Sequence, residues 1–232
     1  MKKSAVPAPL TRHRPAAAGY DTRAVRARMV EKLAGQGVTD KWVLAAMGHI
    51  ERHCFVDTAL AGQAYEDTSL PIGLSQTISK PNVVARMLEL LRGDTPCKLG
   101  RVLEIGTGCG YQAAVLSHLA SEVYSMERLR GLHQRAIENL RFLRLPNVHL
   151  LYGDGTAGYP RGAPYAGIIA AAGGQSVPSA WTDQLAVGGR LVAPVLTPAG
   201  GQALVLIEKS PGGLKKTVLE AVSFVPLKSG LS

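Results

Sequence analysis

The stretch Val102-Leu103-Glu104-Ile105-Gly106-Thr107-Gly108-Cys109-Gly110-Tyr111 constrains the fold more than any other part of this chain. A short apolar run ends at Ile105, three glycines follow at alternate positions, and an apolar-periodic segment opens at Tyr111 and continues to Leu119. That order reads as strand, glycine turn and helix. Such a turn needs glycine because its backbone enters angles closed to residues with a Cβ, and because a ligand must approach the main chain closely. The spacing is informative too. A dinucleotide fingerprint runs G-x-G-x-x-G and sets a pyrophosphate on the helix N-terminus. Here Gly106, Gly108 and Gly110 give G-x-G-x-G.

Two acids follow at strand ends. Glu122-Val123-Tyr124-Ser125-Met126 is a strand-like run closed by Glu127, a carboxylate placed to accept hydrogen bonds from both hydroxyls of a ribose. Val148 to Tyr152 is the next such run, and Gly153-Asp154-Gly155 puts another acid at its end, where an open doubly wound sheet takes its ligands. As local chemistry, a plain Gly-Asp-Gly turn explains Asp154 equally well. The glycine loop with Glu104 resembles motif I of the class I S-adenosylmethionine-dependent methyltransferases. The resemblance implies that S-adenosylmethionine is held by Glu104, Gly106, Thr107, Gly108, Gly110, Glu127, Asp154 and Gly155, with Asp154 beside the adenine.

At 232 residues the chain suits one well-buried domain with an appendage, and its 46% apolar and 19% charged content is that of a globular protein. No apolar run reaches the length of a membrane span, and Ser4 to Gly19 lacks the apolar core of a signal peptide, so a cytoplasmic location is expected. Cys54, Cys97 and Cys109 show no C-x-x-C pairing and read as reduced thiols, Cys109 being a small filler of the loop. The net charge of +9 raises the question of nucleic acid. Seven of the bases, however, fall within residues 1–30 against the single acid Asp21, which marks a basic solubilising tail. Neither a nucleic-acid nor a membrane partner is expected, and a monomer is.

Three segments are expected: a basic disordered tail over 1–20, a helical and substrate-side segment over 21–93, and the cofactor-binding core over 94–232. Val25, Met29, Val30 and Leu33 lie at helical spacing, and Thr39 or Asp40 can cap a second helix with Val43, Ala46, Met47 and Ile50 on one face. His49 and His53 are four apart, yet Ile50 replaces the acid of an H-E-x-x-H site and no third ligand is visible, so no metal is expected. Residues 62–79 are turn-rich and without periodicity. Pro81 opens a helix striped by Val84, Met87, Leu88 and Leu91 and stopped by Gly93. Beyond 101, strand-like runs (101–105, 122–126, 148–152, 167–172, 189–195) alternate with helical ones (111–119, 129–143, 180–187). The fold class is therefore α/β, a doubly wound, mainly parallel seven-stranded sheet with an N-terminal helical appendage. Two further strand-like runs, 203–208 and 219–225, are separated by Pro211-Gly212-Gly213, a hairpin that adds an antiparallel C-terminal strand at the sheet margin.

The chain as a whole is similar to the protein-L-isoaspartate O-methyltransferases, from about residue 22 onward. Arg52-His53-Cys54-Phe55-Val56 resembles that family's early R-x-x-F-V element. Leu70-Pro71-Ile72-Gly73 and Gln76-Thr77-Ile78-Ser79-Lys80-Pro81 resemble its substrate-side signature, and Gly188 to Val195 and Phe224 to Leu227 follow in the family's order. The resemblance implies methylation of the α-carboxylate of isoaspartyl residues in damaged proteins, with Ser79 as the active-site residue and Gln76, Thr77 and Ile78 lining the same wall and joining the cofactor-binding set. Local sequence alone weighs Ser79 evenly as a helix N-cap and as a catalytic group. The family's aspartate after the proline-aromatic pair is replaced, since Pro164-Tyr165 leads into Ala166. Ala171-Ala172-Gly173-Gly174 looks open, and Leu196 stands where glycine is usual; these departures are expected at the pocket's edge.

Two other functions share these features. One is methylation of a specific aspartyl residue in a modified peptide, and the other is a non-catalytic protein that keeps the cofactor cleft. Methylation of nucleobase amino groups needs a polar-Pro-Pro-aromatic loop after the fourth strand, and Ala172-Gly173-Gly174 offers none.

Overall fold

The computed structural model of the protein describes residues 22–232, so the expected tail over 1–20 lies outside the described residues. Three helices come first: α1 (Thr22–Gly35), α2 (Lys41–His49) and α3 (Pro81–Arg92). Asp40 caps α2, its side chain accepting from the Trp42 and Val43 N–H groups at 2.7 and 3.1 Å. Arg92, buried at the end of α3, donates to the other Asp40 oxygen at 2.7 Å and so ties α3 to the start of α2.

Between α2 and α3 lies a hairpin of β1 (Leu70–Gly73) and β2 (Gln76–Ile78), paired antiparallel from Leu70↔Ile78 to Gly73↔Gln76. The expectation of an aperiodic 62–79 is thereby corrected. Leu70 and Ile72 are buried and alternate with exposed Pro71 and Gly73, a two-residue period that the proline and glycine hide from the sequence.

A seven-stranded sheet follows. Its strands are β3 (Leu99–Ile105), β4 (Ala120–Glu127), β5 (Val148–Tyr152), β6 (Tyr165–Ala170), β7 (Leu185–Thr197), β8 (Gly201–Ser210) and β9 (Gly213–Val222), in the order β5-β4-β3-β6-β7-β8-β9. Strands β3 to β7 are mutually parallel, while β8 is antiparallel to both β7 and β9. The reversed strand thus lies one in from the edge. Helices α4 (Tyr111–Leu119) and α5 (Arg130–Leu140) link β3 to β4 and β4 to β5, and α6 (Ser179–Gln184) precedes β7. The helix expected over 180–187 is shorter because Leu185 pairs with Tyr165, and Gly188-Gly189 fall in a bulge before Gly167↔Arg190.

Alternation along the strands separates two cores. Val102, Val123, Ile169, Val192, Leu204 and Leu206 face the layer of α1–α5, in a cluster reaching Leu33, Met47 and Met87. Leu103, Ile105, Ile168, Leu191, Val205 and Ile207 face the opposite layer with Trp181 and Leu185. Chain order reverses at β3, which pairs with β4 on one side and β6 on the other. A crevice beyond the carboxyl ends of these strands is where such a sheet takes a ligand.

Candidate active site

The glycine loop stands at that switch point. Gly106, Gly108 and Gly110 have φ of 91°, 57° and 90°, all in the region that residues with a Cβ avoid. The Gly106 N–H donates to the Met126 carbonyl at 2.8 Å, and Gly110 caps α4 in a left-handed conformation. A Cβ at Gly108 would come within 3.2 Å of Ile72 in β1, so the hairpin lies directly over the loop. Arg135 of α5 fastens that hairpin from the other side, donating to the Ile72 carbonyl at 2.6 Å.

Glu127 is 5% exposed, and its two oxygens hold both lips of the crevice. One accepts from the Gly108 N–H and the other from the Leu129 N–H, each at 2.9 Å. Each oxygen retains a further lone pair for a ligand hydroxyl. Asp154 ends β5 and is held differently. One oxygen accepts from the Thr156 N–H and hydroxyl, the other from the Gly230 N–H at 2.6 Å. Desolvation would raise the Asp154 carboxyl, but the hydrogen bonds from Gly230 and Thr156 prevail and hold it below its ordinary range. Gly155 is fixed from beneath by Trp181, whose indole N–H donates to its carbonyl at 2.8 Å, and a Cβ there would meet Ile105 at 2.5 Å.

Glu104 is where the structure departs most from a direct ligand contact. Its side chain is fully buried below the loop, where Ser125 donates to it. Because Ser125 spends its proton on Glu104, the Thr107 hydroxyl, 2.6 Å away, must donate to Ser125. Burial pushes the Glu104 carboxyl up to about 8, the Glu127 charge adding to it and Ser125 and Gln112 opposing it. Glu104 and Thr107 therefore shape the loop from within.

Ser79 follows β2 and is half-buried in a cleft of about 460 Å³. Thr77, Lys80, Asn82 and Arg86 line one wall of this cleft, Glu220 to Val225 another, and Ala171 is its link to β6. The N-cap of α3 is Lys80, without a side-chain bond, and the Asn82 N–H is taken by Asp67 at 2.9 Å. The capping alternative for Ser79 falls away. Its carbonyl accepts from Arg52 at 2.7 Å, a residue whose own guanidinium is fully buried. Ile78 belongs to the core, and Gln76 turns back to the carbonyls of Leu74 and Ser75, so neither side chain is aimed into the cleft beside Ser79.

The departures from the family pattern also find their places. Ala166 is near the amino end of β6, and the ligand crevice is at the carboxyl end, about 13 Å along a strand of that rise. It does not touch the pocket's edge. Nor is 171–174 open: Gly173 bonds the Val225 carbonyl and the Leu227 N–H, and Gly174 bonds Pro194 and Leu196 of β7. Leu196 is 47% exposed.

Three contributors escape the sequence reading: Trp181, Arg52, and the segment Gly230–Ser232. That segment crosses beside Glu127: Ser232 pairs with Arg128 and Arg130 through main-chain bonds of 3.0 and 2.8 Å, and the Arg128 side chain donates to the Gly230 carbonyl at 2.8 Å. The R-x-x-F-V resemblance signals Arg52, but nothing local signals the others.

This fold and loop define a class I S-adenosylmethionine-dependent methyltransferase. The sequence model of the family described as protein-L-isoaspartate(D-aspartate) O-methyltransferase (PCMT) matches residues 24–232, and the chain belongs to that family. It is 59% identical to the protein-L-isoaspartate O-methyltransferase of Methylibium petroleiphilum over 93% of this chain and 81% of the relative. Against that of Leptothrix cholodnii it is 57% identical, over all of this chain and 81% of the relative. A solved protein-L-isoaspartate O-methyltransferase superposes with a TM-score of 0.79 at 30% identity, covering 89% of this chain and 67% of that one. A Plasmodium falciparum structure titled a putative member in complex with S-adenosyl-L-homocysteine shares the fold at a TM-score of 0.75 and 23% identity, covering 88% and 98%. Among the described residues no helix is long and apolar enough to cross a membrane.

Proposed function

We infer that this protein transfers a methyl group from S-adenosylmethionine to the free carboxylate of L-isoaspartyl residues in damaged proteins. The observation that carries the reading is the cleft that holds Ser79, whose wall residue Ala171 also packs against Gly106 of the glycine loop, in a chain of this family. The loop suits an adenosyl ligand: its left-handed glycines leave main chain bare, and the Glu127 carboxylate, bonded to the Gly108 N–H, is the group to take the ribose hydroxyls. When bound, S-adenosylmethionine supplies an electrophilic methyl on a sulfonium.

The accepting carboxylate has a pKa of about 4 and is already ionised at neutral pH, so no general base is required. Positioning is then the main catalytic task, and it can supply about 7 kcal/mol or more. The Ser79 hydroxyl donates to the carboxylate and aims one oxygen at the methyl. The positive end of the α3 dipole, immediately beyond Ser79, favours the same anion. Arg52 keeps the Ser79 main chain still. Main-chain groups of Gln76, Thr77 and Ile78 form the wall on which the peptide rests, and Glu127, Asp154 and the loop glycines hold the adenosyl end. Glu104 and Thr107 act as the loop's internal supports.

The methyl ester made in this way loses methanol as the neighbouring backbone N–H attacks it, leaving a succinimide that water opens to aspartyl or isoaspartyl. Repair is tested by incubating an isoaspartyl peptide with enzyme and S-adenosylmethionine and resolving the two peptide isomers over time. Conversion to the aspartyl isomer supports the reading. Stable isoaspartyl content despite cofactor binding would favour a non-catalytic relative.

A further inference from the structure

We propose that Glu51, His53 and Cys54 form a binding site for a divalent ion of the zinc class. None of the three lines the cleft beside Ser79. His53 does not work with His49, whose ring faces His118 at 4.6 Å. Its neighbours are instead Glu51, across Arg52, and Cys54, the next residue along, brought together by the short 3-10 turn Arg52–Phe55. A carboxylate oxygen of Glu51, a ring nitrogen of His53 and the Cys54 sulfur all lie within 4.8 Å of one another, and all three residues are half-buried.

The two spacings from sulfur suit a tetrahedral ion. Zinc at about 2.3 Å from sulfur and about 2.1 Å from nitrogen or oxygen sets those donors about 3.6 Å apart. Cys54 Sγ lies 3.6 Å from His53 Nε2 and 3.9 Å from Glu51 Oε2. The ring is already oriented, because His53 Nδ1 is 2.7 Å from the Tyr65 hydroxyl, the outer partner that turns Nε2 toward the site. Glu51 is oriented as well, with Oε1 facing Arg26 Nη1 at 3.7 Å and Oε2 facing Cys54. One thiolate and one carboxylate balance a dication, and the Cys54 proton passes to solvent as the ion binds. A sulfur, nitrogen and oxygen set selects zinc or cobalt over magnesium or calcium. Water completes the fourth position. The ion would fasten the main chain on both sides of Arg52.

The test uses the full chain stripped of metal and titrated with Co2+, whose thiolate charge-transfer band and tetrahedral visible bands report the ligand set. We expect one equivalent to give both, Zn2+ to abolish them, and C54S and H53Q each to weaken Co2+ binding at least tenfold while far-UV spectra stay unchanged. C97S, which removes an exposed thiol elsewhere, should bind as the parent does. The proposal is overturned if the parent gives no thiolate band, if the band survives in both C54S and H53Q, or if C97S abolishes it.

Discussion

Arg52 reaches across 27 residues of sequence to donate from Nη2 to the Ser79 carbonyl at 2.7 Å, while its Nε holds the Ala64 carbonyl at the same distance. Burial lowers the Arg52 pKa, and its guanidinium lies 4.8 Å from the Tyr111 ring centroid, so one side chain joins the substrate wall to the first turn of α4. Lysine keeps the charge but not the planar fork. Arg52→Lys should lower kcat about tenfold with cofactor affinity kept, and cost about 2–3 kcal/mol in denaturant unfolding. Unchanged turnover in a folded variant would confine Arg52 to stability.

Ser79 is not needed to cap α3, since Asp67 meets the Asn82 N–H. Ser79→Ala should therefore change stability by no more than about 0.5 kcal/mol, while kcat falls about 100-fold with the loss of one positioned donor. Thermal unfolding and steady-state kinetics on the same preparation separate the two effects. A large loss of stability with normal kcat would return Ser79 to a structural role.

Glu127 uses both oxygens on main-chain donors, so an amide would set its NH2 group against one of them. Glu127→Gln should weaken S-adenosylhomocysteine binding about 10- to 100-fold by calorimetry, through the ribose and through the loop together. Equal affinity would remove the ribose assignment.

Glu104 has a folded pKa near 8 against an ordinary value of 4.5, so between those values the folded state binds the extra proton. Stability from this group is complete below about pH 4.5 and is lost as pH rises through 8, to a total on the order of 5 kcal/mol. Glu104→Gln keeps the shape and removes the titration. The variant should gain on the parent steadily from pH 5 to 8 in urea unfolding; parallel curves would mean that Glu104 is ionised where it stands.

Leu74 and Ser75 turn the β1–β2 hairpin with φ of 51° and 56°, a left-handed pair without glycine. Ser75→Gly should raise stability by about 1 kcal/mol by relieving that conformation. A lower unfolding midpoint would show that the serine side chain offsets the strain.

Much of this architecture is written in local pattern. The G-x-G-x-G loop, the α3 stripe and the acids at the ends of β4 and β5 obey short-range rules, and the structure sets the loop and the acids at one switch point. What stayed hidden is nonlocal. Pro71 and Gly73 mask the alternation of β1, and the partners of Asp154 include Gly230, 76 residues away. Trp181 supports Gly155 from a helix with no motif of its own. Ala166 stands where the family has an aspartate, and only the direction of β6 shows that this position lies at the strand end away from the crevice.

Selectivity for the isoaspartyl carboxylate is what the cleft beside Ser79 should confer. It is tested most directly by the initial rate of base-labile methyl ester formation from labelled S-adenosylmethionine on two peptides differing only in aspartyl or isoaspartyl linkage. Label on the isoaspartyl peptide alone, its rate about 100-fold lower in Ser79→Ala, is the predicted result; equal label on both peptides, or on the aspartyl one alone, would contradict it.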